Sequence, residues 1–377
     1  MKHVVVIGAG FVGLTALKQL LKQKNLKLTL INPNEYFLFT PRLTELLNDS
    51  VSKKVVMKGI KEIFGNKINF IKEKADFIDF DKKYVKIKKL KIHYDYLIMS
   101  QGSTTNFFGN KNIGKNTIGY KDYDAVLKIK NKINNNIKKA SKNNKKELLT
   151  FAVIGAGLAG VELICSLREY VIKKIKNYSN LNPDDAKFVI IQSPKTIVPQ
   201  LPTNVRLKIE KYFKNNNIKI LTGTRVESID NDVIFSKRSK IKASTIIWTA
   251  GVKANTIKTN PSLNLERGNT IKVTNKLKVP NYDNIYVGGD ADFFIENNLP
   301  LAATAQTAFQ EGINIGKNIL RRLNGKKEKD FKYSHKGTLI VLGSKHGIFT
   351  YKIITFDGKL AWYLRDWIYK LRFKQIT

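Results

Sequence analysis

The sequence predicts an α/β fold with two Rossmann-like dinucleotide-binding domains, one interrupting the other, and a short C-terminal membrane-associating segment. Three observations carry this. Val4-Val5-Val6-Ile7 runs into Gly8-Ala9-Gly10-Phe11-Val12-Gly13 and then an apolar helical pattern. Phe151-Ala152-Val153-Ile154 runs in the same way into Gly155-Ala156-Gly157-Leu158-Ala159-Gly160. Each is G-x-G-x-x-G in strand–turn–helix context, where the glycines allow a tight turn, approach to a pyrophosphate and close helix packing. The helix N-terminus behind each turn attracts phosphate charge. The third observation is length: 377 residues leave room for two or three domains and a sizeable core. One such turn is weak evidence. Two point to two dinucleotides, one passing electrons to the other.

The elements follow in order. After the first strand and turn, a helix is expected over residues 11–22 and a strand over 26–31. The strand ends at Asn32, where this fold usually carries an acid that binds ribose hydroxyls. Asn can still hydrogen-bond a hydroxyl, without the help of a charge. Short alternating strands are expected up to about residue 91, and a buried strand then ends in the turn at Gly102 and Ser103. Residues 121–150, rich in Lys and Asn, read as a helix with a solvated loop. The second unit repeats the first, with a helix over 158–176, a strand over 188–191 and Gln192 at the acidic position. Strands are expected over 221–229, 233–236 and 244–249, then over 285–287 before Gly288-Gly289-Asp290. An Ala-rich helix over 302–323, a basic turn over 324–329 and a short stranded segment lead to a final amphipathic stretch.

Composition narrows the function classes. The net charge is +37, from 67 basic and 30 acidic residues, and only 10 of the basic residues are Arg. Base readers favour the Arg fork, so an anionic lipid surface is preferred to nucleic acid; a Lys- and Asn-rich coding bias explains the charge equally well. No apolar run approaches the ~20 residues of a membrane span, and no signal peptide fits before a strand beginning at His3. The expected location is therefore the cytoplasm or the inner face of the membrane. One cysteine, Cys165, excludes an internal disulfide or CxxC pair and reads as a buried structural thiol. The four histidines show no ligand spacing, and no metal site is assigned.

The chain resembles the type II NADH dehydrogenases, single-subunit NADH:quinone oxidoreductases of the two-dinucleotide-binding flavoproteins. Its most specific stretches are Gly102-Ser103-Thr104-Thr105-Asn106-Phe107-Phe108-Gly109, Gly160-Val161-Glu162-Leu163, Trp248-Thr249-Ala250-Gly251-Val252 and Ala305-Gln306-Thr307-Ala308-Phe309-Gln310-Glu311-Gly312. The resemblance implies an FAD domain over 1–115 and 251–323, an NAD(P)H domain over 116–250 and a C-terminal segment over 324–377. Gly8, Gly10, Gly13 and Asn32 would hold FAD. Thr40, Pro41, Gly102, Ser103 and Ala305 would line it, and Asp290, after Gly289, would bind its ribityl chain. Gly155, Gly157, Gly160, Gln192 and Gly251 would hold NADH, with Glu162 near the nicotinamide. Ala305, Gln306 and Gln310 would meet the quinone head group, the catalytic pair being Glu162 and Gln306. Lys336 matches a Lys of the family's C-terminal segment. Asn32 and Gln192 depart from the family's acids. With no acid to repel a 2′-phosphate and Lys195 nearby, NADPH is expected to serve beside NADH. The implied activity is NADH oxidation with quinone reduction and no proton pumping, at the cytoplasmic face of the membrane.

The tail over 359–374 places Leu360, Leu364, Trp367, Ile368 and Leu371 on one stripe, surrounded by Lys and Arg. It is expected to lie in an anionic membrane interface; docking on the protein's own body or on a second subunit is the alternative, and a homodimer is left open. Competing readings are an NAD(P)H reductase for a soluble acceptor such as ferredoxin, a sulfide:quinone oxidoreductase, which one cysteine disfavours, and a non-enzymatic flavoprotein that binds nucleic acid.

Overall fold

A computed structural model describes residues 1–237 and 240–377. The chain opens with strand β1 (Lys2–Ile7), helix α1 (Phe11–Leu20), strand β2 (Leu26–Ile31), the short helix α2 (Leu43–Leu47) and strands β3 (Asn69–Ile71) and β4 (Tyr96–Met99). A second unit follows: β5 (Ile118–Gly119), α3 (Tyr123–Asn143), β6 (Thr150–Ile154), α4 (Leu158–Ile175), β7 (Lys187–Ile191), α5 (Thr203–Asn215), β8 (Ile218–Leu221) and β9 (Thr245–Trp248). The chain then returns through β10 (Ile285–Val287) and α6 (Ala305–Leu323). It ends in β11 (Thr338–Val341), β12 (Gly347–Tyr351), β13 (Ile354–Gly358) and α7 (Lys359–Ile376).

Two five-stranded parallel sheets result, in the orders β10-β4-β1-β2-β3 and β5-β9-β6-β7-β8. Their central strands are apolar runs buried on both faces, as parallel sheets require. In each sheet the strand order reverses beside the first strand, between β1 and β4 and between β6 and β9. The glycine turns leave the carboxyl ends of β1 and β6, which are the switch points where this architecture takes ligands. The chain crosses between the sheets twice, and the crossings pair antiparallel, Ser103 opposite Ala254 and Thr105 opposite Val252.

Helix α6 lies against α1 with almost no gap. A Cβ on Gly312 would fall 2.0 Å from the Thr15 hydroxyl and 2.5 Å from the Val12 carbonyl, and one on Gly316 would fall 2.9 Å from the Ala16 carbonyl. This contact brings the start of α6 beside the first glycine turn. The helix begins at Ala305, later than expected, because the Thr304 hydroxyl caps it by accepting the Thr307 N–H at 3.1 Å.

Two expectations need correction. The strand expected over 221–229 is divided: β8 ends at Leu221 and a separate hairpin starts at Val226. Between them Gly223 adopts φ +62° and donates to the Pro194 carbonyl at 2.9 Å, turning the chain out of the sheet. Helix α5 was not anticipated, although Val205, Ile209 and Phe213 recur at helical spacing and are all buried.

Candidate active site

The two glycine turns build the same cradle. Gly8 and Gly155 adopt φ of +101° and +105°, where a Cβ would meet the Ser100 carbonyl at 2.1 Å or the Ala250 backbone at 2.7 Å. On Gly13 and Gly160 a Cβ would strike the carbonyl of Gly8 or Gly155 at 2.0 and 1.8 Å, so the helices pack directly on the turns. Gly10 and Gly157 face open space. Both helices start without a side-chain cap or an acidic residue in the first turn. Bare backbone N–H groups at a positive helix end suit a pyrophosphate, so both cradles fit a dinucleotide.

A hydroxyl at the end of the neighbouring strand braces each turn, a role the sequence assigned to neither residue. Ser100 donates to the Ile7 and Gly8 carbonyls, at 2.8 and 3.2 Å. Thr249 does the same to the Ile154 and Gly155 carbonyls, at 3.0 and 2.8 Å. The amide residues complete the repeat. Asn32 Oδ1 accepts the Ala9 N–H at 3.0 Å, and Gln192 Oε1 accepts the Ala156 N–H at 2.8 Å. Both were read as replacements for a ribose-binding acid. Their oxygens also brace the turn, each satisfying a backbone N–H of its own cradle.

Between the cradles lies Asp290, which accepts from the Ser103 hydroxyl and from Lys121 Nζ at 2.8 Å. Ser103 and Asp290 are thus brought together, and Lys121 is an addition from the second unit. The Gly289 N–H, one residue earlier, donates to Glu311 Oε2 at 2.7 Å. Burial pushes Glu311 up to about 7. Burial, and then the charge of Glu311, push Asp292 well above the usual carboxylate range. Both shifts favour the protonated form of the pair. Gly102, at φ +64°, accepts the Asn255 N–H at 2.9 Å, and Gly251 lies against the Phe108 ring.

On the other side Thr40 and Pro41 form a one-turn 3-10 helix, Thr40–Arg42. The C-terminal helix packs over it, with Tyr369 and Phe373 against Phe39 at ring distances of 5.5 and 5.8 Å. Glu162 accepts the Val341 N–H at 2.9 Å. Burial raises it to about 7, against the pull of the Arg365 charge. Gln306 Oε1 accepts from Tyr333 Oη at 3.0 Å and from the Lys336 N–H at 2.7 Å, while its Nε2 donates to the Gly337 carbonyl at 3.3 Å. One amide N–H remains unused. Gln310 is held by Ser334, whose backbone takes both ends of its amide at 3.0 Å. Lys336 meets the site through its backbone N–H.

Residues 2–312 match the pyridine nucleotide-disulphide oxidoreductase family. The chain belongs to this family. A type II NADH:quinone oxidoreductase of Staphylococcus aureus (strain NCTC 8325 / PS 47) is 26% identical over 359 residues, covering 92% of this chain and 89% of the relative. NDH2 from Plasmodium falciparum in complex with NADH superposes with a TM-score of 0.87 at 21% identity, over 100% of this chain and 97% of that one. The sulfide:quinone oxidoreductase of Aquifex aeolicus gives 0.82 at 19% identity, over 100% and 91%. This pyridine nucleotide-disulphide oxidoreductase has a single thiol, Cys165, buried on α4 and pushed by burial well above its ordinary pKa. It holds no cysteine pair with which to make a redox disulphide. No described helix is long and apolar enough to cross a membrane.

Proposed function

We propose that the chain is an FAD-dependent oxidoreductase that takes hydride from NADH and delivers two electrons to a membrane quinone, without pumping protons. The observation that carries this is the doubled cradle: two uncapped helix ends, each behind a turn that only glycine can make. The Staphylococcus relative, similar over nearly its whole length, supplies the direction of the reaction by its name.

FAD, when bound, supplies the two-electron redox centre. The rest is the work of this chain. Gly8, Gly10 and Gly13 bind the FAD pyrophosphate at the N-terminus of α1, while Asn32 keeps the turn in shape. Thr40, Pro41, Gly102 and Ser103 would line the flavin, and Asp290, which accepts from the Ser103 hydroxyl, would hold the ribityl chain. The N-terminus of α6, at Ala305, presents a positive helix end that would favour negative charge on a flavin bound beside it. Gly155, Gly157 and Gly160 bind NADH, with Gln192 behind the turn and Gly251 at the crossing. Glu162, near neutrality in its acid strength, holds or releases a proton beside the nicotinamide. Ala305 admits a flat ring, and the remaining amide N–H of Gln306 meets a quinone carbonyl. Gln310 holds the wall of that site through Ser334. The domain limits are 1–115 with 251–323, 116–250 and 324–377.

The outer face of α7 supports a peripheral position on an anionic membrane, on the cytoplasmic side. Leu360, Tyr363, Trp367 and Leu371 are exposed there, with Lys359, Lys370 and Lys374 beside them.

The test is anaerobic mixing of the purified flavin-loaded protein with NADH, then with a short-chain quinone. Bleaching of the flavin band by NADH and its recovery with quinone are expected. Bleaching without recovery moves the acceptor to a soluble class. No bleaching by either NADH or NADPH overturns the enzymatic reading.

A further inference from the structure

Two arginines and a glutamate are buried together under the Thr40–Arg42 turn: Arg42, Glu45 and Arg365, each no more than 2% exposed. Arg365 comes from the C-terminal helix. Its Nη2 donates to the Pro41 carbonyl at 2.9 Å, its Nη1 lies 2.6 Å from Glu45 Oε2, and its guanidinium stacks 4.1 Å from the Tyr369 ring centroid. The next residue, Asp366, takes Arg42 through its carboxylate and, at 3.1 Å, through its carbonyl. Pro41 has no N–H, so its carbonyl is the only hydrogen-bonding group it can offer.

Such a cluster is an expensive way to attach a helix. Buried ion pairs are often matched in stability by apolar residues of the same volume. Here the expense is higher still. Neither Glu45 oxygen receives a well-directed hydrogen bond, and the Thr44 hydroxyl, Tyr120 Oη and Arg365 Nε are buried without a partner. These groups meet where α2, α7, the second unit and β11 come together, around Glu162. The groups that act on Glu162 are Arg365 and Tyr369 from α7, Glu45 from α2, Tyr120 beyond β5, Cys165 on its own helix and the Val341 N–H.

We infer that Arg365 is a positioning residue for the reaction: its guanidinium, held by Glu45, fixes the flavin-lining turn through the Pro41 carbonyl, so that the C-terminal helix completes the site from outside both dinucleotide domains. This rests on the reading that FAD occupies the first cradle and Glu162 serves the second. The sign of its effect on Glu162 follows from the charges. Arg365 favours the Glu162 carboxylate more strongly than Glu45 opposes it. Removing both charges therefore raises the pH at which Glu162 loses its proton.

The experiment compares the flavin-loaded full-length protein with Arg365→Met/Glu45→Gln, Arg365→Lys and Glu162→Gln. The readouts are the flavin dissociation constant and the pH profile of kcat/KM. The double variant leaves no orphaned charge. It is expected to lose flavin about tenfold more readily, the factor that ~1.4 kcal/mol represents, and to shift the pH limb abolished by Glu162→Gln upward. Arg365→Lys keeps the charge without the fork; it is expected to keep the limb and still loosen the flavin. A double variant with unchanged flavin affinity and an unmoved limb overturns the role. Should the double variant fail to fold, an Arg365→Lys protein that holds flavin as tightly as the wild type overturns it as well. Wild-type protein that binds no flavin overturns the underlying reading instead.

Discussion

At the residue scale, the cradle glycines were legible because their function lies in their spacing along one short stretch. The residues that brace them were not. Ser100 and Thr249 sit at the ends of strands that read as ordinary apolar runs, and their partners become visible only once the sheets are assembled. Arg365 and Pro41 are 324 residues apart, a pairing no local pattern encodes. Asn32 and Gln192 were located from the strand ends, but the bonds their amide oxygens make to the Ala9 and Ala156 N–H groups appear only once each loop is folded. Gln192 still leaves the second cradle without a fixed negative charge, and a 2′-phosphate would meet no repulsion there. The wild type is expected to prefer NADH over NADPH by less than roughly a thousandfold, about 4 kcal/mol. Gln192→Glu should widen the preference by at least about tenfold. Steady-state kcat/KM for both nucleotides checks this, and an unchanged ratio in the variant rejects it.

At the element scale, the helices behind the glycine turns and helix α6 were found by their apolar patterns, and α6 starts three residues later than expected where the Thr304 hydroxyl caps it. What the sequence could not show was which helix face meets which neighbour. Helix α6 touches α1 through Gly312 and Gly316, and the atoms in the way of a side chain at Gly312 include the Val12 backbone. Two effects compete in Gly312→Ala. Alanine favours a helix over glycine by about 1 kcal/mol, while a methyl group forced against backbone costs about 1–3 kcal/mol and displaces the helix. The backbone cannot yield as a flexible side chain would, so net destabilisation is expected, read as a lower denaturant midpoint. A higher midpoint would mean that the helices can separate at little cost. Helix α7 shows the same limit differently. Its aromatic and basic pattern was plain, yet the sequence did not reveal that its two faces do different things. Arg365, Tyr369 and Phe373 dock inward, while Leu360, Trp367 and Leu371 stay outside.

At the scale of the whole molecule, the doubly wound architecture was legible from two motifs. Each parallel sheet fixes the position of its glycine turn, and the crossing strands fix one sheet beside the other. The net charge of +37 was legible as a number and not as a surface. Its effect can be measured on vesicles. Each Lys or Arg near an anionic bilayer adds ~1 kcal/mol of attraction, and added salt screens that attraction over a Debye length of ~10 Å at 0.1 M. Co-sedimentation with anionic vesicles should weaken as salt rises. It should fall further for Leu360→Ser/Trp367→Ser/Leu371→Ser, whose inner face is intact. A triple variant that sediments like the wild type would place the contact elsewhere on the protein.

The doubled cradle has a last consequence. The brace, the turn glycine, the packing glycine and the amide recur in the same order at both sites, with contacts that agree to within a few tenths of an ångström. A mutational scan of the chain should therefore carry its own replicate at the glycines: the substitution tolerance of Gly8, Gly10 and Gly13 ought to overlie that of Gly155, Gly157 and Gly160 column for column. Any column that differs would mark what one nucleotide asks of its turn and the other does not.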